Sequence, residues 1–172
     1  MSLTPEIATD TSTPHSIVDH GPGVKIPPMG AFSFGFLVAI GLHIFEPLRF
    51  FEGSEVRTLA VVGWGIVGVG VAMFLWALRV LFLARTGIVL QKPATMLMRQ
   101  GPYAWSRNPQ YLAFVAIYLG AALVTNTVWP LLLLAPVVAI VVVLVIRREE
   151  RYLRRTFGAA YDEYCRDVGR WL

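Results

Sequence analysis

Cysteine, histidine and acidic residues are all scarce in this chain. Among 172 residues there is one cysteine, Cys165, and three histidines. A single thiol cannot close an intrachain disulfide or supply a cysteine cluster for a metal. Charge is scarce as well: Asp, Glu, Lys and Arg make up 15% of the chain, and none occurs across 58–78 or 108–146. A soluble domain breaks such runs with polar alternation, so that class is excluded. A central apolar region is missing from the first 28 residues, which hold Thr, Ser, Pro and His. No cleavable signal peptide is therefore expected, and the segment reads as a polar tail, ordered at most near "GVKIPPMG".

What is present is apolar: 56% of residues are hydrophobic. The pattern predicts an all-α polytopic membrane protein with about four transmembrane helices, over 30–51, 59–83, 111–124 and 131–146. The last two are joined by "TNTVWP", short enough to make them an antiparallel helical hairpin. Gly63, Gly70 and Ala77 recur every seven residues, so they share one face where a neighbouring helix can come close. The tail "RREERYLRRTFGAAYDEYCRDVGRWL" carries apolar residues at helical spacing among charges, which predicts an amphipathic helix or two at the membrane surface. Three segments follow: a polar tail over 1–28, two membrane helices over 29–83, and a core over 84–172 made of linker, hairpin and final helix.

The net charge of +4 could point to nucleic acid. The basic residues flank the apolar runs instead of lining one face, so they read as topology determinants. Arg85, Lys92, Arg99 and Arg107 occupy the linker without an acid, and Arg147, Arg148, Arg151, Arg154, Arg155, Arg166 and Arg170 crowd the tail. The first connection instead sets Glu46, Glu52 and Glu55 against Arg49 and Arg57. Both termini, the linker and the tail are thus predicted on the cytoplasmic side.

That topology puts the stretch "RQGPYAWSRNPQYLAF" on the same side as Glu149 and Glu150. Pro109 suits a first helical turn, so Asn108 and Pro109 should open the third helix where the glutamates close the fourth. Tyr103, Arg107 and Tyr111 then converge on a carboxylate pair. Acids at a membrane boundary are costly unless solvated or paired. A surface charge network would account for them, but two prolines and three aromatics within ten residues point to a shaped pocket.

"GPYAWSRNPQY", an apolar hairpin, then "RREERYLRRTFGAAYDEYCRDV" resemble the isoprenylcysteine carboxyl methyltransferase and phospholipid methyltransferase group. The likeness covers about 95–170. It implies an enzyme that takes S-adenosyl-L-methionine from the cytoplasm and methylates a lipophilic acceptor in the bilayer, here the bacterial inner membrane. On that resemblance Leu97, Met98, Tyr103, Asn108, Pro109, Tyr111 and Glu149 would bind the cofactor. Arg107, Asn108 and Glu150 are the candidate catalytic residues, and Arg147 would steer the acceptor's polar head. No metal is implied. Tyr161 and Tyr164 either cover the cofactor or pack the tail helix.

The chain departs from the family's pattern twice: Asn108 stands where the motif has histidine, and Thr95 replaces a second one. Asn cannot act as a base near neutral pH. A carboxylate acceptor needs none, whereas an amine would give a proton to Glu149 or Glu150. Prenylcysteine carboxylate, a phospholipid amine, a small thiol and another isoprenoid or lipid head group stay open as acceptors. Small residues at Gly120, Ala121 and Ala122 suggest a sideways access route between helices. A small membrane reductase with a nicotinamide cofactor could have similar helices, but the Glu-Glu and Phe-Gly ending fits the methyltransferases better. A non-catalytic channel or assembly subunit would need polar residues lining the spans. His43 and Glu46 lie one turn apart with no third ligand near, and read as interface anchors. Trp64, Trp76 and Trp129 read as packing or interface aromatics.

Overall fold

The computed structural model describes residues 27–84 and 96–172. Thr95, Arg85 and Lys92 lie outside the described residues, as does most of the polar tail. Every regular element among the described residues is helical.

Helix α1, Pro28–Phe45, begins at a proline, whose missing N–H is unpaired in a first turn anyway. It stops earlier than the apolar pattern suggests, at Phe45 and not Phe51. The cause is Pro47, which disfavours helical geometry in the residue before it. Glu46 is accordingly extended, with φ −137° and ψ 95°. Helix α2, Glu55–Leu83, starts four residues before the expected 59 and has an acid in its first turn, where the helix dipole favours one. Its 29 residues span about 43 Å, longer than a ~30 Å hydrocarbon core.

Helix α3, Pro109–Val124, has only 16 residues, about 24 Å. It is the shorter apolar helix beside three long enough to cross a membrane: Pro28–Phe45, Glu55–Leu83 and Trp129–Phe157. The third of these is one unbroken rod. Helix α4, Trp129–Val141, passes through a π-helical turn, Val142–Ile146, into α5, Arg147–Phe157. The expected boundary at Ile146 falls inside one continuous helix, where the π-helical turn gives way to α5. Gly158, at φ 51°, ends the rod and redirects the chain into α6, Ala159–Asp167. Of the one or two tail helices allowed by the periodicity, the chain therefore forms two.

Helix α2 packs on α3, and α1 packs on α4. The buried residues of α2 are Gly63, Gly70 and Ala77, the stripe legible in the sequence. At the crossing the backbones nearly touch: a Cβ on Gly63 would lie 2.7 Å from the Gly120 carbonyl oxygen, and one on Gly120 would lie 2.7 Å from that of Gly63. Gly120 therefore admits a neighbouring helix, and the expected lipid access at this point is filled by α2. A core of Phe32, Tyr111, Tyr118, Val137, Val141, Val145 and Ile146 joins α1, α3 and the long rod. The outer faces stay apolar: Phe34, Val69 and Phe82 are about 70% exposed. Such faces are stable only against lipid. The protein is an integral membrane protein.

At the end away from the motif, two loops are tied together. Asn126, at φ 49°, accepts from the Phe50 and Phe51 amides at 3.2 Å each and donates to the Phe51 carbonyl at 2.8 Å. Trp129 Nε1 donates to the Glu46 carbonyl at 2.7 Å, so this interface aromatic also has a bonding role.

The crossing sets opposite signs for two glycine substitutions. Gly63→Ala drives a methyl into the Gly120 backbone and should lower stability by about 1–3 kcal/mol. A methyl on Gly65 would meet nothing within 4 Å, so Gly65→Ala should be neutral or stabilising by up to about 1 kcal/mol. Thermal unfolding in detergent compares the two directly.

Candidate functional site

The site end is built from the motif turn. Gly101 has φ +60°, a conformation that suits glycine, and a Cβ there would meet Val80 Cγ2 at 3.0 Å. The motif glycine is thus pressed against the C-terminal part of α2, where Trp76 and Trp105 meet edge to face at 5.5 Å. A tight turn, Gly101–Ala104, follows, with Pro102 fully buried. The Ser106 amide closes back on the Pro102 carbonyl at 3.2 Å. Asn108, at φ −129° and ψ 52°, precedes Pro109, which opens α3, and Tyr111 lies in the first turn beyond it.

Tyr111 donates its hydroxyl hydrogen to Glu149 Oε2 at 2.8 Å. The Tyr103 phenol is close enough to feel the charge of Glu149, and it shares a side-chain hydrogen bond with Gln110. Burial, then the neighbouring Tyr164 and Glu149, push Tyr103 well above the usual phenol range. Tyr164 is pushed up to about 12, chiefly by burial. Both phenols therefore stay protonated as donors. Tyr164 uses its proton on the Tyr103 carbonyl, at 2.6 Å.

Glu150 turns elsewhere. Successive residues on a helix point about 100° apart, so adjacent glutamates serve different neighbours. Arg170 grips Glu150 with a two-pronged fork, at 2.9 Å and 2.8 Å, and Arg107 Nη1 stands 3.4 Å away. Arg107 also donates to Cys165 Sγ at 2.7 Å, while its Nε is buried with no partner. The Arg107 amide donates to the Gly169 carbonyl at 3.0 Å, and Asn108 Nδ2 to the Arg170 carbonyl at 3.0 Å.

Helix α6 closes the side of this arrangement. Tyr161 and Tyr164 are buried with Val168, and Leu97, Leu153, Phe157 and Cys165 pack against them. Arg99 reaches over the Tyr164 ring, bonds the Ala160 carbonyl and pairs with Glu163 at 3.1 Å.

The candidates drawn from the sequence separate into four places. Tyr103, Tyr111 and Glu149 come together, with Asn108 and Pro109 beneath them. Arg107 and Glu150 form an ion pair next to that group. Leu97 lies in the α6 cluster, and Met98, half-buried, follows it in the chain. Arg147 is exposed, on an open groove of about 450 Å³ that it lines with Val143, Glu150, Arg151 and Arg154. Arg170 and Ser106 were not singled out from the sequence as site residues. The only signal for Arg170 is a basic residue just past a helix end, and in so basic a tail it reads as a topology determinant.

A membrane-embedded helical hairpin with a tyrosine–carboxylate cluster at its mouth defines the class. The phospholipid methyltransferase family profile matches residues 58–160, from the start of α2 into α6. The chain belongs to this phospholipid methyltransferase family. It is similar to the protein-S-isoprenylcysteine O-methyltransferase of Saccharomyces cerevisiae (strain ATCC 204508 / S288c), at 31% identity over 145 residues. That match covers 82% of this chain and 61% of the yeast protein, so the chain spans less than two thirds of that relative's length. No solved structure matches it significantly.

The contact between Tyr164 and the Tyr103 carbonyl should be separately measurable. Tyr164→Phe removes one hydrogen bond and keeps the ring, which should lower stability by about 0.5–1.5 kcal/mol. Thermal unfolding of the purified protein reads this out.

Proposed function

We propose that this protein transfers a methyl group from S-adenosyl-L-methionine to a lipophilic acceptor held in the bilayer. The observation that carries the reading is the cluster of Glu149, Tyr103 and Tyr111 at one end of the α3–α4 hairpin, within the part of the chain matched by the family profile. The residues present suit that cofactor. Its sulfonium and ammonium groups are cations, which a carboxylate flanked by aromatic rings attracts. When bound, it would supply an electrophilic methyl group.

The chain's own part is binding and orientation. Glu149 would take a positive group of the cofactor, with Tyr103 and Tyr111 beside it. Asn108 and Pro109 would shape the floor, and Leu97 and Met98 the apolar wall. Holding donor and acceptor in line can supply much of the rate of such a transfer. An acceptor with a carboxylate needs no base. With an amine acceptor, Glu149 is the better-placed proton acceptor, because two guanidinium groups hold Glu150. Asn108 takes no proton in either case. Arg147, exposed on its groove, is suited to steering an anionic acceptor head. The arginine distribution supports a cytoplasmic site and termini.

Calorimetry on the detergent-solubilised full chain tests the reading. S-adenosylmethionine should bind the wild type, and Glu149→Ala and Tyr103→Ala should each weaken it at least about tenfold, or ~1.4 kcal/mol. A folded wild type that binds none would end the proposal. Unchanged affinity in both variants would instead move the site elsewhere. Labelled methyl donor added to membranes, with mass spectrometry of the products, would identify the acceptor.

A further inference from the structure

The last residues of the chain join both walls of the site. Arg170 lies past the end of α6 and beyond the segment matched by the family profile. Its guanidinium holds Glu150 on α5 at 2.9 Å and 2.8 Å. Its main-chain carbonyl accepts from Asn108 Nδ2 at 3.0 Å and Ser106 Oγ at 3.3 Å, on the opposite wall. One residue earlier, the Gly169 carbonyl accepts from the Arg107 amide at 3.0 Å. The strap made by Gly169 and Arg170 therefore bonds three successive motif residues with its backbone and Glu150 with a side chain.

This has a consequence for the two carboxylates. A bidentate arginine–carboxylate pair fixes direction as well as charge. With Arg170 and Arg107 on Glu150, only Glu149 presents its carboxylate to the tyrosines. Without the fork, Glu150 would keep only the longer 3.4 Å contact to Arg107. It could then swing, and draw Arg107 with it. Asn108 is 7% exposed and its side-chain amide is bonded to the Arg170 carbonyl.

We propose that Arg170 is a positioning residue that acts through Glu150, and that Asn108 is the latch holding its strap, not an acid or a base. Arg170 holds Glu150 away from the cation subsite, so that Glu149 alone serves it, and it fixes the turn carrying Arg107. The inference rests on the methyltransferase reading and adds to it a residue outside the tyrosine–carboxylate cluster.

The test uses the full chain in lipid nanodiscs, S-adenosylmethionine calorimetry and hydrogen exchange. Arg170→Ala should weaken binding about tenfold, as the loss of a hydrogen bond to a charged group implies. Arg170→Lys should restore part of that, since it returns the charge without the fork. Adding Glu150→Gln to Arg170→Ala should cost little more, because both changes remove the same contact. Asn108→Asp keeps the shape, loses the donor and should weaken binding similarly. Exchange should quicken in 106–110 in Arg170→Ala and stay unchanged in 63–70, which separates local release from unfolding. Wild-type affinity in a folded Arg170→Ala, or penalties that simply add, would overturn the proposal while leaving the methyltransferase reading standing. A wild type that binds no cofactor would remove both, and unchanged exchange in 106–110 would independently show that the strap holds nothing.

Discussion

The site depends on the backbone-to-backbone approach of α2 and α3 where Gly63 meets Gly120. In lipid, helices gain little from burying apolar side chains against each other, so close van der Waals approach has to hold them. Two residues without side chains supply it here. The approach fixes the far part of α2 beside the start of α3, and so brings Val80 and Trp76 against Gly101. That contact seats the motif turn, which carries Tyr103, Arg107 and Asn108. Small residues in one helix thereby determine where aromatic and charged residues of another segment stand.

The carboxylate pair shows how neighbours in sequence can differ in task. Glu149 and Glu150 have the same chemistry, and in the sequence only the resemblance to the methyltransferases set them apart, whereas in the fold they also have different partners. The division comes from helical geometry, which turns one toward Tyr111 and the other toward Arg107 and Arg170. A pair of acids at a membrane boundary is therefore tolerable for two separate reasons. One is hydrogen-bonded by a phenol that stays protonated, and the other is matched by cations.

Much of this was legible beforehand because it follows from periodicity. The seven-residue spacing of Gly63, Gly70 and Ala77 announced the α2 face that is buried, and "TNTVWP" announced the hairpin. The convergence of Tyr111 with Glu149, and of Arg107 with Glu150, followed from the hairpin's topology. Boundaries were less legible. An apolar run does not reveal that Pro47 ends α1 early, nor that the helix runs on past the polarity change at Ile146. Gly120 misled for a physical reason: a small residue in an apolar helix fits a lipid gap and a helix crossing equally well. Arg170 was hidden because its meaning lies in a fold-back of the chain end, which leaves no periodic trace.

The stapling of the far loops by Asn126 and Trp129 has a mechanical side. Those bonds, at 2.7–3.2 Å, each join a side chain to main chain, and they tie the loop after α1 to the start of α4 and the turn before it. At the other end the walls are joined by the Arg170 fork on Glu150, the Arg107–Glu150 pair and the main-chain bond from Arg107 to Gly169. The bundle is therefore tied at both ends by bonds between segments far apart in sequence, and the rod from Trp129 to Phe157 runs between the two ties.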